Sequence, residues 1–121
     1  AGITPDTRYP WGQCTWWAAT RRADIGKPIP GWGNAATWAG SAASAGYTVD
    51  GSPSAGSVIV FQPGVLGASA GYGHVAMVEE VRGDGSILIS ESNVLGLGVV
   101  STREISASQL AAAGSGVRYI H

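Results

Sequence analysis

The feature that most constrains the fold is a change of pattern near residue 51. Before this point apolar residues recur at helical spacing, and after it short apolar runs alternate with glycine-rich turns. The first part predicts two helices, Cys14–Ile25 and Ala35–Ala45, the second capped by Asn34. Gly26 and Gly46 end them, because glycine is favoured just beyond a helix C-terminus.

The second part predicts a meander of short strands. The strands are expected over Ser57–Phe61, His74–Val81, Ile87–Ser92, Val99–Thr102 and Val117–Ile120, with a short helix over Ala107–Ala113. Helices followed by antiparallel strands predict the α+β class. A chain of 121 residues is long enough for one core and short for two, so residues 1–121 are predicted to form a single domain.

Charge and cysteine content exclude several classes of function. Charged residues are only 12% of the chain and the net charge is -1, which gives no electrostatic reason to bind nucleic acid or an anionic membrane. No stretch approaches the length of a membrane-spanning helix. The single cysteine, Cys14, cannot form an internal disulfide, and with two histidines it cannot complete a closed zinc site. We therefore expect no metal or other cofactor. A start at Ala1, without methionine or signal peptide, indicates a mature form or an excised domain.

Cys14 is the candidate nucleophile. It falls at the predicted start of the first helix, where free N–H groups and the helix dipole lower a thiol pKa and can hold an oxyanion. An inert buried cysteine is the alternative that this position leaves open. His74 is the candidate base, because His121 is the last residue and is expected to be mobile. For His74 the alternative is a surface histidine at a strand edge.

The predicted hairpin brings polar side chains toward His74. Glu91 and Asn93 are two residues apart on one strand and so share a face. If the turn is Gly83-Asp84, His74 lies opposite Asn93 and diagonal to Glu91. If it is Asp84-Gly85, the face is kept and Glu91 lies one pair further away. We favour the first register, because it places a group that can orient the imidazole within reach. A solvated polar face of the hairpin is the alternative.

Four segments in a fixed order carry a family resemblance. They are YPWGQCTWWAA from Tyr9, PSAGSVIVF from Pro53, YGHVAMV from Tyr72 and ISESN from Ile89. In this order they resemble the CHAP domains, the cysteine, histidine-dependent amidohydrolases/peptidases related to NlpC/P60 hydrolases. The resemblance spans about Tyr9 to Ile120 and implies a papain-like core, with N-terminal helices packed on an antiparallel sheet. It matches Cys14, His74, Glu91 and Asn93 to the family's catalytic positions.

The resemblance implies an extracellular or wall-associated peptidoglycan hydrolase. Family members are N-acetylmuramoyl-L-alanine amidases, or endopeptidases of stem peptides or crossbridges. Glu91 is then expected to orient His74, with Asn93 in support and Gln13 as a further oxyanion donor. Bacterial peptidoglycan is the expected partner, together with a wall-binding module outside this chain. The chain departs from the family in having no such module, and Ser57 replaces a usual acidic residue. The calcium loop of some members has no counterpart, with only Asp6 near the N-terminus.

Trp32 and Tyr72 are the predicted substrate-binding residues, since aromatic rings stack on sugars and peptides. They would also serve the alternative function, a non-catalytic wall-binding or adhesion module, but such a module has no reason to keep a thiol opposite an imidazole. Residues 67–71, GASAG, match the serine-hydrolase motif G-x-S-x-G. That motif needs a strand before it and a helix after it, whereas here a loop precedes and a strand follows. We expect a flexible loop at the rim of the cleft.

Overall fold

Two helices precede the strands along residues 9–121, the part of the chain that the computed structural model describes, and a third helix lies between the last two strands. Asp6, the acidic residue considered for a calcium loop, lies outside this part. Within it, the helices are α1 (Cys14–Asp24), α2 (Trp38–Ser44) and α3 (Ala107–Ala113), with short 3-10 turns over Ala35–Thr37, Val65–Gly67 and Gly114–Gly116. The strands are β1 (Val49–Asp50), β2 (Val58–Phe61), β3 (His74–Val81), β4 (Ile87–Ser92), β5 (Val100–Ile105) and β6 (Val117–Ile120).

The six strands form one sheet in the order β1-β6-β2-β3-β4-β5, and every neighbouring pair is antiparallel. The predicted α+β class is confirmed. Five strands lie where the sequence pattern placed them, although β5 extends three residues beyond its predicted end at Thr102. The two-residue β1 was not predicted, because a segment so short carries no periodicity of its own.

Both faces of the sheet are covered. One face packs against α1 and α2 through a cluster that includes Ala18, Trp38, Val58, Val60, Val75, Met77 and Ile120. The other face carries Ile59, Phe61, Ala76, Val78, Ile89 and Tyr119, with Leu110 and Ala113 of α3 packed on it. A strand that is covered on both sides must be apolar throughout, and this explains the uninterrupted run Val58–Phe61.

Polar side chains fix α1 on the sheet. Trp17 Nε1 donates a hydrogen bond to Ser90 Oγ at 2.9 Å, and Ser90 Oγ donates to Glu79 Oε2 at 2.6 Å. Arg21 binds the same carboxylate through Nε (3.2 Å) and Nη2 (2.9 Å). Because these contacts join α1 to β3 and β4, they also fix the position of the residue that begins the helix, Cys14.

The second predicted helix is divided in two. Ala35–Thr37 forms a 3-10 turn and α2 begins at Trp38, whereas the pattern predicted one helix capped by Asn34. The Asn34 side chain makes no capping hydrogen bond. The Ala36 N–H instead donates to the Tyr72 carbonyl at 2.9 Å, so a contact with a distant loop holds this turn.

The β3–β4 hairpin has a three-residue turn rather than either predicted two-residue turn. Arg82 N–H donates to the Ser86 carbonyl at 2.9 Å, and Gly85, with φ 87°, occupies the left-handed position. A β-bulge between Val78 and Glu80 then shifts the register, so that Met77 lies opposite Ser90. If this register is continued to the start of β3, the position of Asn93 lies opposite that of His74. This is the register that the sequence analysis favoured.

Candidate active site

Cys14 is the first residue of α1, and its side chain is half-buried. Gln13 precedes it in an extended conformation and makes no side-chain cap, so the first-turn N–H groups are not covered by that side chain. The backbone N–H groups of Thr15 and Val75 and the side chain of His74 all act to lower the pKa of this thiol. The sequence therefore places the thiol at a helix start, and the fold adds donors from β3.

His74 opens β3 and is buried beside the thiol. Its Nε2 lies 2.9 Å from Glu91 Oε1, which leaves Nδ1 as the ring nitrogen that faces Cys14. The ring packs against Phe61 with centroids 5.4 Å apart. Gly73 allows this approach: its φ is 72°, and a Cβ there would lie 2.6 Å from the Phe61 carbonyl oxygen. His74 thus joins the thiol to a carboxylate.

Glu91 is 1% exposed and accepts hydrogen bonds from two strands. Besides His74 on β3, Arg103 on β5 donates from Nε to Oε2 and from Nη2 to Oε1, both at 3.0 Å. Burial alone would raise the pKa of this carboxyl, but the hydrogen bond to His74 and the charge of Arg103 hold the pKa below its ordinary value. Glu91 is therefore an ionised, immobilised partner for the imidazole.

The electrostatics favour a thiolate–imidazolium pair. Burial raises the pKa of the Cys14 thiol, but the hydrogen bond and charge of His74 outweigh burial and lower it. Burial lowers the pKa of His74, whereas hydrogen bonds to Cys14 and Glu91 raise it to about 9. Each charged form stabilises the other, as in activated cysteines.

Asn93 hydrogen-bonds to Gln13, the residue before the nucleophile, and Glu91 rather than Asn93 is bonded to His74. Asn93 adopts φ 66°, and its Nδ2 donates to Gln13 Oε1 at 3.0 Å. The neighbouring Ser92 Oγ donates to the Gly12 carbonyl at 2.8 Å. The end of β4 therefore holds the segment that leads into Cys14.

A groove of about 830 Å³ exposes Cys14 and His74. Tyr72 lies on its rim and is 63% exposed. Residues 66–69, within the glycine-rich loop expected at the cleft, form part of the wall. Ser69, the serine of the G-x-S-x-G match, accepts backbone hydrogen bonds from Gly71 and Tyr72, and a strand follows it. This loop has the rim position expected of it and lacks the helix that a serine-hydrolase elbow requires.

Trp32 does not line the groove. It is 9% exposed and packs edge-on against Trp38 and Tyr47, with ring centroids 5.6 and 5.0 Å apart. Its predicted role in substrate binding is corrected accordingly: the ring fills the core between α2 and the loop before it, because burial of so large an apolar surface stabilises the fold more than exposure would.

His121 is also placed differently from expectation. Its N–H donates to the Thr48 carbonyl at 2.9 Å, and its ring nitrogens contact Ser54 Oγ at 2.7 Å and Asp50 Oδ1 at 2.8 Å. The predicted mobility is wrong, because the residue extends the pairing of β6 with β1. His121 is engaged there rather than with Cys14, so His74 remains the candidate base.

Arg103 was missed in the sequence. It lies one residue beyond the predicted end of its strand, and its relation to Glu91 depends on the β4–β5 register, in which Arg103 pairs with Ile89 and Ser101 with Glu91. An arginine diagonal to a glutamate across two antiparallel strands is the signal that could have identified it.

The described part of the chain has neither a metal-binding cluster nor a membrane-spanning helix. Among residues 9–121, no group of three or more His, Cys, Asp or Glu side chains is placed to hold a metal ion. In the same part of the chain, no helix is both long and apolar enough to span a membrane.

Comparison with known proteins gives consistent matches. The family model of the CHAP domain matches residues 4–93. The probable autolysin SsaALP of Staphylococcus aureus is 48% identical over 93% of this chain and 40% of its own length. The N-acetylmuramoyl-L-alanine amidase sle1 of the same species is 44% identical over 93% of this chain and 31% of its own length. This chain thus spans less than half of either relative.

A crystal structure of an N-acetylmuramoyl-L-alanine amidase from Staphylococcus aureus has the same architecture. Its TM-score is 0.87 at 43% sequence identity, and the alignment covers 95% of this chain and 31% of that one.

Proposed function

The chain belongs to the CHAP domain family, and on that premise we propose that it is a peptidoglycan hydrolase with Cys14 as nucleophile. The observation that carries the proposal is the arrangement of Cys14 and His74 on the wall of an open groove, with the buried Glu91 bound to His74 behind them. Such a chain activates a sulfur for attack on an amide carbon. The whole chain, 1–121, is proposed to act as one catalytic domain.

The proposed scissile bond is the amide between the lactyl group of N-acetylmuramic acid and the L-alanine of the stem peptide. The names of the relatives support this choice, since both sle1 and the protein of the crystal structure are named N-acetylmuramoyl-L-alanine amidase. The same residues could cut a peptide bond of the stem or crossbridge, because both substrates present a carbonyl carbon and a leaving amine. Product analysis separates the two reactions.

The proposed reaction begins from the thiolate–imidazolium pair. The Cys14 thiolate attacks the amide carbonyl, and N–H groups at the start of α1 hold the oxyanion. Gln13 lines the groove and its amide oxygen accepts from Asn93, which supports the proposal that its amide N–H adds a further donor. The Nδ1–H of His74 then protonates the leaving amine, and a thioester remains on the sulfur.

Hydrolysis of the thioester completes the cycle. His74, now neutral, takes a proton from water, the hydroxide attacks the thioester carbonyl, and the carboxylic acid leaves as Cys14 regains its thiolate. Glu91 accepts from Nε2–H throughout, so that Nδ1 stays turned toward the sulfur. Tyr72, on the rim, is proposed to contact the substrate.

The proposed site of action is outside the cell membrane, at the wall that contains the substrate. The relatives are more than twice as long as this chain, and their remaining length supports a further module that binds the wall. Placement of such a module beside a catalytic domain would raise the local concentration of substrate at the groove.

The test is digestion of purified peptidoglycan by the wild type, Cys14→Ala and Ser69→Ala, with mass spectrometry of the released fragments. Ser69 is the matched comparison, because it is the other candidate nucleophile at the groove. We expect wild type and Ser69→Ala to release peptides with a free N-terminal L-alanine, and Cys14→Ala to release none. Equal release by Cys14→Ala would exclude the thiol as nucleophile. Other peptide termini would indicate an endopeptidase.

A further inference from the structure

Arg103, which was not predicted from the sequence, makes three hydrogen bonds around the site. Two of its N–H groups bind the two oxygens of Glu91 at 3.0 Å, and Nη1 donates to the Leu66 carbonyl at 2.8 Å. It lies ten positions beyond residues 4–93, the part matched by the family model. It is also not among the four residues, Cys14, His74, Glu91 and Asn93, that the resemblance matches to the family's catalytic positions.

The guanidinium is held in place from several sides. It lies over the Phe61 ring, 5.5 Å from the centroid, and the same ring packs against His74. Its third hydrogen bond reaches Leu66, which has φ 50° and lies in the loop that forms the groove wall. Arg103 thus contacts Glu91, the Phe61 ring that packs on His74, and the wall of the groove. It does so from β5, a strand that contributes no other predicted site residue.

The contacts of Glu91 show why such a partner matters. Its two oxygens accept three hydrogen bonds, and only one of these comes from His74. A carboxylate that is 1% exposed is costly to keep ionised unless its remaining lone pairs are satisfied. Without such partners it would also be free to rotate away from His74. The charged and titratable groups that face it are His74 from β3, Arg103 from β5 and, beyond His74, Cys14 from α1.

We propose that Arg103 is a positioning residue for the reaction, which holds the Glu91 carboxylate ionised and turned toward Nε2 of His74. It thereby keeps Nδ1 of His74 directed at the thiol. This inference rests on the proposed function for its catalytic meaning. Its physical content, the dependence of His74 on Arg103, can be measured in the absence of substrate.

The two roles that Arg103 could have, positioning Glu91 or supplying a nearby positive charge, predict opposite changes in the pKa of His74 when Arg103 is removed. If Arg103 acted only as a nearby positive charge, its removal would favour the imidazolium and raise the pKa of His74. If it positions Glu91, its removal releases the carboxylate from the imidazole and lowers that pKa. The direction of the change therefore distinguishes the two roles.

The experiment is a titration of the histidine side chains by nitrogen-15 NMR. The chain has two histidines, so His121→Asn assigns both signals. Arg103→Gln removes the charge and the fork of donors, whereas Arg103→Lys keeps the charge and loses the fork. Arg82→Gln is the matched control, because Arg82 is an exposed arginine that pairs with Glu80 and Glu104, away from the site.

We expect Arg103→Gln to lower the pKa of His74 by about one unit or more, and Arg103→Lys to lower it by less. Arg82→Gln should leave it unchanged. With peptidoglycan as substrate, kcat should fall about tenfold or more in Arg103→Gln, with partial rescue in Arg103→Lys. An unchanged or raised pKa in Arg103→Gln would overturn the proposal. If that variant fails to fold, a wild-type pKa and kcat in Arg103→Lys would overturn it.

Failure of the proposed function gives a different result. A wild type that releases no fragments would contradict the hydrolase, while the titration would still report whether His74 depends on Arg103. Normal release by the wild type with an unchanged titration in the Arg103 variants would contradict the positioning role alone.

Discussion

Replacement of Glu91 by glutamine is the sharpest test of the site, because it changes one atom in a buried group. Glu91 accepts from His74 Nε2 and twice from Arg103, so three donors meet two oxygens. A glutamine offers one oxygen and turns an NH₂ group toward the remaining donor. At least one donor must lose its acceptor and face another N–H, whichever way the amide is oriented.

The cost of this change follows from the contacts. Loss of one partner of a buried ion pair costs roughly 3–5 kcal/mol when the other charge stays buried. The Arg103 side chain is 34% exposed and can turn into solvent, so we expect a lower value. A loss of about 2 kcal/mol corresponds to a fall of roughly 6–12 °C in Tm for a chain of this size. The imidazole loses its orienting carboxylate as well, so turnover should fall about 10²–10³-fold.

Two measurements on Glu91→Gln check these values: thermal unfolding by circular dichroism, and the initial rate of fragment release from peptidoglycan. Glu104→Gln is the matched control, because Glu104 is an exposed glutamate whose ion pair with Arg82 lies at the surface. It should change stability by no more than about 0.5 kcal/mol. Wild-type turnover in Glu91→Gln would remove this residue from the mechanism, and a Tm equal to that of Glu104→Gln would contradict the buried ion pair.

Three further predictions test the groove and its approach. The pKa of His74 is raised to about 9, so the imidazolium persists at neutral pH and is lost at higher pH; a pH–rate profile should decline as the pH rises through about 9. Tyr72→Ala should raise KM several-fold with little change in kcat, whereas Leu95→Ala, at an exposed residue that does not line the groove, should change neither. Gly12 and Gly26 both have positive φ, but a Cβ at Gly12 would lie 2.6 Å from a backbone nitrogen, and one at Gly26 would meet nothing within 4 Å. Gly26→Ala should therefore cost about 1 kcal/mol of unfolding free energy from backbone strain alone, and Gly12→Ala clearly more; equal Tm values for the two variants would contradict the packing at Gly12.

Local patterns predicted the regular elements well. The strands His74–Val81 and Ile87–Ser92 and the helix that begins at Cys14 lie where hydrophobic periodicity and glycine placed them. These features depend on neighbours within a few residues, which a sequence pattern reports directly. The division of the second helix depends instead on a hydrogen bond between Ala36 and the distant Tyr72, which no local pattern contains.

The sequence predicted that Cys14, His74 and Glu91 meet, and did not predict all of their contacts. These three residues lie together as predicted, because the favoured hairpin register is correct beyond the turn, although the predicted turn itself is not. The partner of Asn93 and the presence of Arg103 depend on how separate elements pack, and a single sequence does not report this. Trp32 illustrates the same limit, because a tryptophan next to turn residues is equally compatible with a surface platform and with the core.

The turn and the bulge of the hairpin act together on the site. In the register of the three-residue turn, Glu91 would lie opposite Met77, on the face that packs against α1 and away from the imidazole. The bulge adds one residue, Glu79, to β3, and Glu91 then lies opposite Ala76 on the face that His74 shares. Because alternate side chains of β4 point to opposite faces, Ser90 then faces α1 and binds Trp17, while Glu91 faces the base. One strand therefore fixes both the helix that carries the nucleophile and the carboxylate that orients the histidine. This division of contacts holds only in the register that the bulge restores.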